Sequence, residues 1–304
     1  MWTTIECAGH PRDMGLAQGA AARVAIRSEL GRLGIPCNRS RMPSLRALVV
    51  GPLRGSGAGR EFYRHFAHQA ERLEGLATAA NVSADAILDL HLRVRAGGAM
   101  GGLLSRRASV RARTVGNEKA EKRALLERTL PIAIDGESGW IVRESCPEVG
   151  FRSIEVELPW LVSAVAGVNV GGLAVVAGPL LWGAAGRDGA SPSILLAQEC
   201  LQRFSDVQGA LGWCQKRPVE GEQSFVLADA SGATASVVVT GRERRVQEGE
   251  GELYLEGGEL PTGNSNVASD REGDAHADRV FLDPMARRLQ IDAAGAAIEI
   301  GLLD

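Results

Sequence analysis

Residues 140–176 read WIVRESCPEVGFRSIEVELPWLVSAVAGVNVGGLAVV, and this stretch decides the fold class. Short apolar or alternating runs (WIVRE, FRSIEVEL, VSAVAGVNV, GLAVV) are separated by Gly, Pro and Asn, the grammar of successive β-strands joined by turns. Downstream, Ser191-Pro192 is placed to open a helix through Arg203. Ser205-Asp206-Val207-Gln208 has the spacing of a capping box for a further helix through about Lys216. Strand patterns return as SFVLAD at 224–229, a turn over Asp229–Gly232 and ATASVVVT at 233–240. The tail repeats the pattern in VFLDP, RRLQIDA and AIEIGLLD.

Upstream the periodicity changes to that of helices. Pro11 begins a long helical stretch with Met14, Ala17, Ala21 and Val24 at helical spacing. Residues 35–60 are rich in Gly, Pro, Ser and Arg and read as an irregular excursion. Phe62, Phe66, Ala70, Leu73, Leu76 and Ala80 mark a second helix, ending near Asn81, and Ser83 caps a third through Leu92. The order of helices, sheet, two helices and sheet, with hairpins in place of regular βαβ alternation, predicts an α+β sandwich with helices covering two sheets. It is expected as a single domain over 1–304, with a mainly helical part at 1–95 and a sheet-rich core at 110–304.

The chain has 304 residues, 45% of them hydrophobic and 23% charged, ordinary values for a globular protein with ample material for a core. Its formal charge of −3 argues against a nucleic-acid partner, which would demand a basic domain. Its five cysteines lack CxxC spacing, which excludes a zinc ribbon or disulfide scaffold and fits a reducing, cytoplasmic setting. Neither a signal peptide nor a membrane span is expected. The stretch between Arg106 and Arg123 is dense in Arg and Lys and is expected to form a solvated face.

Chemical motifs are sparse. Gly55-Ser56-Gly57-Ala58-Gly59 lacks the Lys-Ser/Thr ending of a phosphate loop and reads as a helix entry. His65, His68 and Glu71 share a helical side but have no further partner in the sequence, so no metal and no cofactor is expected. Cys200 and Cys214 fall among apolar helix residues and read as small core hydrophobes. No HExxH, GxSxG or Ser/His/Asp set is present.

Several segments, in order, resemble the acyl-coenzyme A:6-aminopenicillanate acyltransferase family, the C45 peptidase group of N-terminal-nucleophile (Ntn) hydrolases. GHPRDMGLAQGAAARVAIRSEL resembles its first helix, with Gly9, Gly15 and Gly19 in place. AERLEGLATAANVSADAILDLHLRVR resembles the following helix pair. The strands of 140–176 end in a match to its Gly-x-Asn-x-x-Gly-Leu signature at Gly167, Asn169, Gly172 and Leu173. ILLAQECLQRFSDVQGALGWCQ and SFVLADASGATASVVVTG resemble the next helices and hairpin. The resemblance implies a four-layer αββα sandwich of two antiparallel sheets flanked by helices. It also implies amide hydrolysis or acyl transfer by a Cys freed from a Gly-Cys-Thr sequence, whose own α-amino group, titrating near about 7.7–8.0, acts as base. Asn side chains stabilise the oxyanion.

The chain departs from that pattern where the chemistry resides. Glu127-Arg128-Thr129-Leu130-Pro131 resembles the family's Arg-Thr-Leu-Asp segment, with Pro131 at the Asp position. Counting back at family spacing puts Ala112-Arg113-Thr114 at Gly-Cys-Thr. Arg113 therefore stands for the nucleophile, and a guanidinium stays protonated above about pH 12 and cannot attack a carbonyl. No cysteine lies within thirty residues of Arg113. Arg113, Arg128 and Asn169 remain candidate substrate-binding residues, and Asn264 in Pro261-Thr-Gly-Asn-Ser-Asn266 is a candidate oxyanion donor or a plain Asn/Gly turn.

Three readings follow. The first is a degenerate Ntn-fold protein that binds a small amide, peptide or acyl compound without thiol chemistry. The second is an active amidohydrolase or acyltransferase with Thr114 as the nucleophile after self-cleavage, Ser105 and Ser109 being poorer choices. The third is a structural or assembly subunit that uses the Arg-rich segment in a homo-oligomer.

Overall fold

The computed structural model describes residues 2–37, 57–95, 109–115, 123–130, 139–180, 191–220, 222–240, 243–249, 252–256, 278–293 and 296–302. An eight-stranded sheet runs in the order β1 (Thr3–Gly9), β4 (Ile141–Pro147), β5 (Ser153–Glu157), β6 (Ala166–Asn169), β7 (Leu173–Leu180), β10 (Glu222–Asp229), β11 (Thr234–Thr240) and β12 (Glu243–Gly249). A six-stranded sheet runs β13 (Glu252–Glu256), β2 (Ser109–Val115), β3 (Arg123–Leu130), β14 (Asp278–Asp283), β15 (Arg288–Ala293) and β16 (Ala296–Gly301). The small sheet packs on the large one, with β2 and β3 over β7 and β10, and β14 over β6. On the other face of the large sheet lie α1 (Pro11–Ala21), against β1 and β4, α6 (Leu195–Arg203), against β6 and β7, and α7 (Val207–Lys216), against β10 and β11. The remaining described helices are α2 (Arg23–Arg32), α3 (Gly57–His65), α4 (Ala67–Ala80) and α5 (Ala84–Arg95). The molecule is thus the α+β class expected, two sheets flanked by helices. None of the described helices is long and apolar enough to cross a membrane.

The quoted segment folds as read. β4, β5, β6 and β7 form consecutive antiparallel pairs, and Gly172, at φ +87°, makes the β6–β7 turn in a conformation that favours glycine. The Asp229 turn closes the β10–β11 hairpin, with Asp229 Oδ1 accepting from the Ser231 and Ala233 amides. Ser83 accepts from the Ala86 amide at the start of α5, as its position predicts.

Several details differ from expectation. β1 pairs with β4 in parallel, so the large sheet is not wholly antiparallel. More than a hundred residues separate the two strands, and no hairpin constrains their direction. The first helix breaks at Ala22 and the second at Phe66. Ser191-Pro192 forms a two-residue strand, β8, paired in parallel with β9 (Val219–Glu220), and the helix begins only at Leu195. Asp206, not Ser205, caps α7 by accepting from the Gly209 amide, while the Gln208 side chain reaches Glu248 in place of a capping box.

α1 and α4 meet without side chains between them. A Cβ at Gly15 would overlap the Arg72 carbonyl, one at Gly19 the Leu76 carbonyl, and one at Gly75 the Arg12 carbonyl. Only glycine permits this approach.

Candidate active site

The strand alternation gives each face of the sandwich its own chemistry. Asp229 Oδ2 accepts from the Val207 amide of α7, so Asp229, Leu227 and Phe225 face the helices. Ser224, Val226 and Ala228 therefore face the small sheet. On β3, buried Ala124, Leu126, Arg128 and Leu130 alternate with more accessible Leu125 and Glu127, so Arg128 enters the space between the sheets.

Arg128 is fully buried, and none of its three guanidinium nitrogens has a partner among the described residues. Burial alone pulls its pKa down to about 9, with no charged neighbour among them contributing. Its strand neighbours are Val110 on β2 and Val280 on β14. The end of the sandwich it occupies follows from the turns. Space beside Gly172 is bounded by Ala230 and the Pro284 carbonyl, so the β6–β7 turn, the β10–β11 turn and the end of β14 share one end. Arg128 pairs with Val280, in the middle of β14 and away from that end, while Gly178 and Ser224 lie on the far halves of β7 and β10. A Cβ on Gly178 would collide with the Ser224 hydroxyl, so this glycine leaves room for that hydroxyl.

The other candidates fall elsewhere. Thr114 pairs with Ala124, and its buried hydroxyl has no partner among the described residues. Ala124 and Arg128 are four residues apart on β3, about 14 Å at ~3.4 Å per residue, so Thr114 and Arg128 do not meet. Arg113 is exposed on the opposite side of the small sheet, in a cleft of about 310 Å³ with Arg111, Arg123, Phe281 and Asp283. Asn169 is fully buried and its amide is committed to the backbone: Nδ2 donates to the Leu201 and Phe204 carbonyls at 2.7 Å, and Oδ1 accepts from the Leu173 amide at 2.9 Å. It ties the end of α6 to the β6–β7 turn. Asn264, Ser105 and Pro131 lie outside the described residues, as do Gly55 and Ser56 of the glycine-rich stretch and much of the Arg-rich one.

A second buried polar cluster, unforeseen from sequence, lies between the large sheet and its helices. Arg143 of β4 donates to Glu155 Oε2 (2.6 Å), Gln18 Oε1 (3.0 Å), Gln198 Oε1 (2.7 Å) and the Leu161 carbonyl (3.3 Å), and also pairs with Glu157. Glu155 accepts from Ser145, Ser153 and Gln198. Burial pushes both carboxyls up. For Glu155 this is outweighed by Arg143, Arg72 and the donated hydrogen bonds, which hold it below the usual range. Glu157 stays raised to about 8, burial outweighing Arg143. Arg143 itself is raised, its two carboxylates overcoming its burial, whereas burial and the repulsion of Arg143 lower Arg72. The signal was present in the sequence: Arg143, Ser145, Ser153, Glu155 and Glu157 recur at period two in apolar strands. A period-two polar row usually marks a wet face, and here helices cover it.

The His65, His68 and Glu71 side chains go to three separate partners, Glu61, Glu199 and His10. Among the described residues no group of three or more His, Cys, Asp or Glu is arranged to hold a metal ion.

No family model matches the chain, and no curated protein sequence matches it. Among solved structures it is similar to penicillin V acylase from Agrobacterium tumefaciens, at 16% identity and a TM-score of 0.45 over 64% of this chain and 86% of that one. It is also similar to a mutant of conjugated bile acid hydrolase from Clostridium perfringens, at 9% identity and 0.41 over 64% and 92%. A third is the N-acylethanolamine-hydrolyzing acid amidase ortholog of Caenorhabditis elegans, at 8% and 0.41 over 59% and 93%.

Proposed function

We propose that this chain is an Ntn-type sandwich that binds a small amide, peptide or acyl compound bearing an anionic group, without the thiol chemistry of the acyltransferase family it resembles. The observation that carries this reading is Arg128, a guanidinium buried between the sheets with no counter-charge among the described residues. Burying an unpaired charge is costly, and an anionic group entering the space between the sheets beside Arg128 would offset that cost. The absence of cysteine from β2 and β3 supports the lack of thiol attack. Calorimetric titration with N-acylglycines and with the matching uncharged N-acyl amides tests the reading. The carboxylate compounds should bind saturably, the uncharged ones at least tenfold more weakly, and Arg128→Met should abolish the difference. No binding by any member, or equal binding by the variant, would sink it.

The second reading, self-cleavage before Thr114, draws support from that residue's buried hydroxyl, which has no partner among the described residues. Against it, the Arg113–Thr114 bond lies inside a strand paired to β3, with Arg113 opposite Leu125 and Thr114 opposite Ala124. Two fragments in the intact mass spectrum, abolished by Thr114→Ala, would restore it.

A further inference from the structure

The two helices that follow one another on the large sheet bring two thiols into contact. Cys200 on α6 and Cys214 on α7 place their Sγ atoms 3.5 Å apart, both are free thiols, and each is 1% exposed. Two small apolar fillers need no such convergence, since any methyl-sized group would pack there. A disulfide holds its sulfurs at about 2.05 Å, so closing the gap takes ~1.5 Å, within reach of modest side-chain rotation.

We propose that Cys200 and Cys214 form a dithiol–disulfide modification site, oxidised by a hydroperoxide to a covalent staple between α6 and α7. One thiol loses its proton and attacks a peroxide oxygen; the O–O bond breaks, a sulfenic acid forms, and the other oxygen leaves as water or alcohol after taking up a proton. The second thiol attacks the sulfenic sulfur, its proton leaves with the hydroxyl as water, and the S–S bond forms. Two electrons pass from the sulfurs to the peroxide, and no further reductant or oxidant is needed.

Access to the buried pair comes through α7. Its outer side exposes Gln208, Gln215 and Lys216, and it contains Gly209 and Gly212, two residues that weaken a helix of only ten. The Cys200 thiol is held protonated by its contact with Cys214 and by burial, so the reaction is paced by helix opening and quickens as pH rises. The staple would fix α6, whose Gln198 and Glu199 reach Glu155, Gln69 and His68. It stands independently of what the inter-sheet space binds.

The full chain is treated with hydrogen peroxide at pH 8, its remaining thiols are alkylated after unfolding, and peptides are mapped by mass without reduction. A peptide pair joined through Cys200 and Cys214 is expected, lighter by two hydrogens than the separate peptides, reversed by dithiothreitol and absent in Cys214→Ser. The Cys37→Ser/Cys146→Ser variant, which leaves the pair untouched, should give the same joined peptide and a Tm raised by about 5 °C after oxidation. Cys200 and Cys214 both found alkylated, or joined to other cysteines, would overturn the site. An unchanged Tm in the joined protein would overturn the staple.

Discussion

Two of the described arginines are fully buried, and they live under opposite conditions. Arg143, beneath the helices, has carboxylates, amides and a carbonyl around its guanidinium. Arg128, between the sheets, has no such partner among the described residues. The first has the character of a structural charge, each of its neighbours placed to compensate it. The second is the charge that the proposed anionic ligand would compensate. Removing each should therefore move stability in opposite directions.

The largest effect is expected at Arg143. Arg143→Met takes away the ion-pair partner of buried Glu155, leaving only Arg72 to oppose its charge, which costs about 3–5 kcal/mol. Urea unfolding checks this, and a variant as stable as the parent would remove the distinction between the two arginines. Next is the pH dependence of the cluster's neighbourhood. His91 is buried, its Nδ1 on the Ile87 carbonyl and its Nε2 accepting from the Val162 amide, and burial lowers its pKa to about 4. Between its unfolded value of 6.5 and 4 the unfolded chain holds a proton the folded one does not, so this contribution of about 3 kcal/mol disappears as pH falls through that window.

Glu157 works the other way. Its pKa is raised from 4.5 to about 8, so the folded state carries the extra proton there, and stability is lost as pH rises from 4.5 through 8. The two slopes oppose one another between pH 4.5 and 6.5. Glu157→Gln should expose the His91 slope below pH 6.5 and abolish the decline between 6.5 and 8; denaturation curves across pH 4–8 that superimpose for parent and variant would refute this. The smallest change in stability is expected at Arg128, and its sign is the informative part. Arg128→Met should raise stability by about 1–2 kcal/mol, because an apolar side chain replaces a buried charge that has no partner among the described residues. A destabilised Arg128→Met protein would mean that this guanidinium, too, is structural.

What the sequence revealed follows from how local each feature is. The strands of 140–176, the Asp229 hairpin and the Ser83 cap depend on neighbours a few residues away, and all three are in place. The parallel seat of β1 beside β4 depends on a pairing across most of the N-terminal half, which no local pattern encodes. The site divides similarly. The family resemblance nominates Arg128, but its lack of partners among the described residues arises from how the two sheets face one another. The same source nominates Asn169, whose hydrogen bonds go to the far end of α6, thirty-odd residues away in sequence. Arg143, Glu155 and Glu157 have the periodicity of a wet face, because a row of charged residues gives no notice that helices will be laid across it.

The glycines where α1 meets α4 act as a distance gauge for that buried row. Gln18 lies between Gly15 and Gly19, and Arg72 lies three residues before Gly75, so the same backbone contact that brings the helices together sets how deep these two side chains reach. A single methyl at any of the three positions would prise the helices apart and withdraw both polar groups from Arg143 and Ser145 at once. The tolerance of the first helix is therefore set by the range of a hydrogen bond, a few tenths of an ångström, and not by the softer demands of apolar packing.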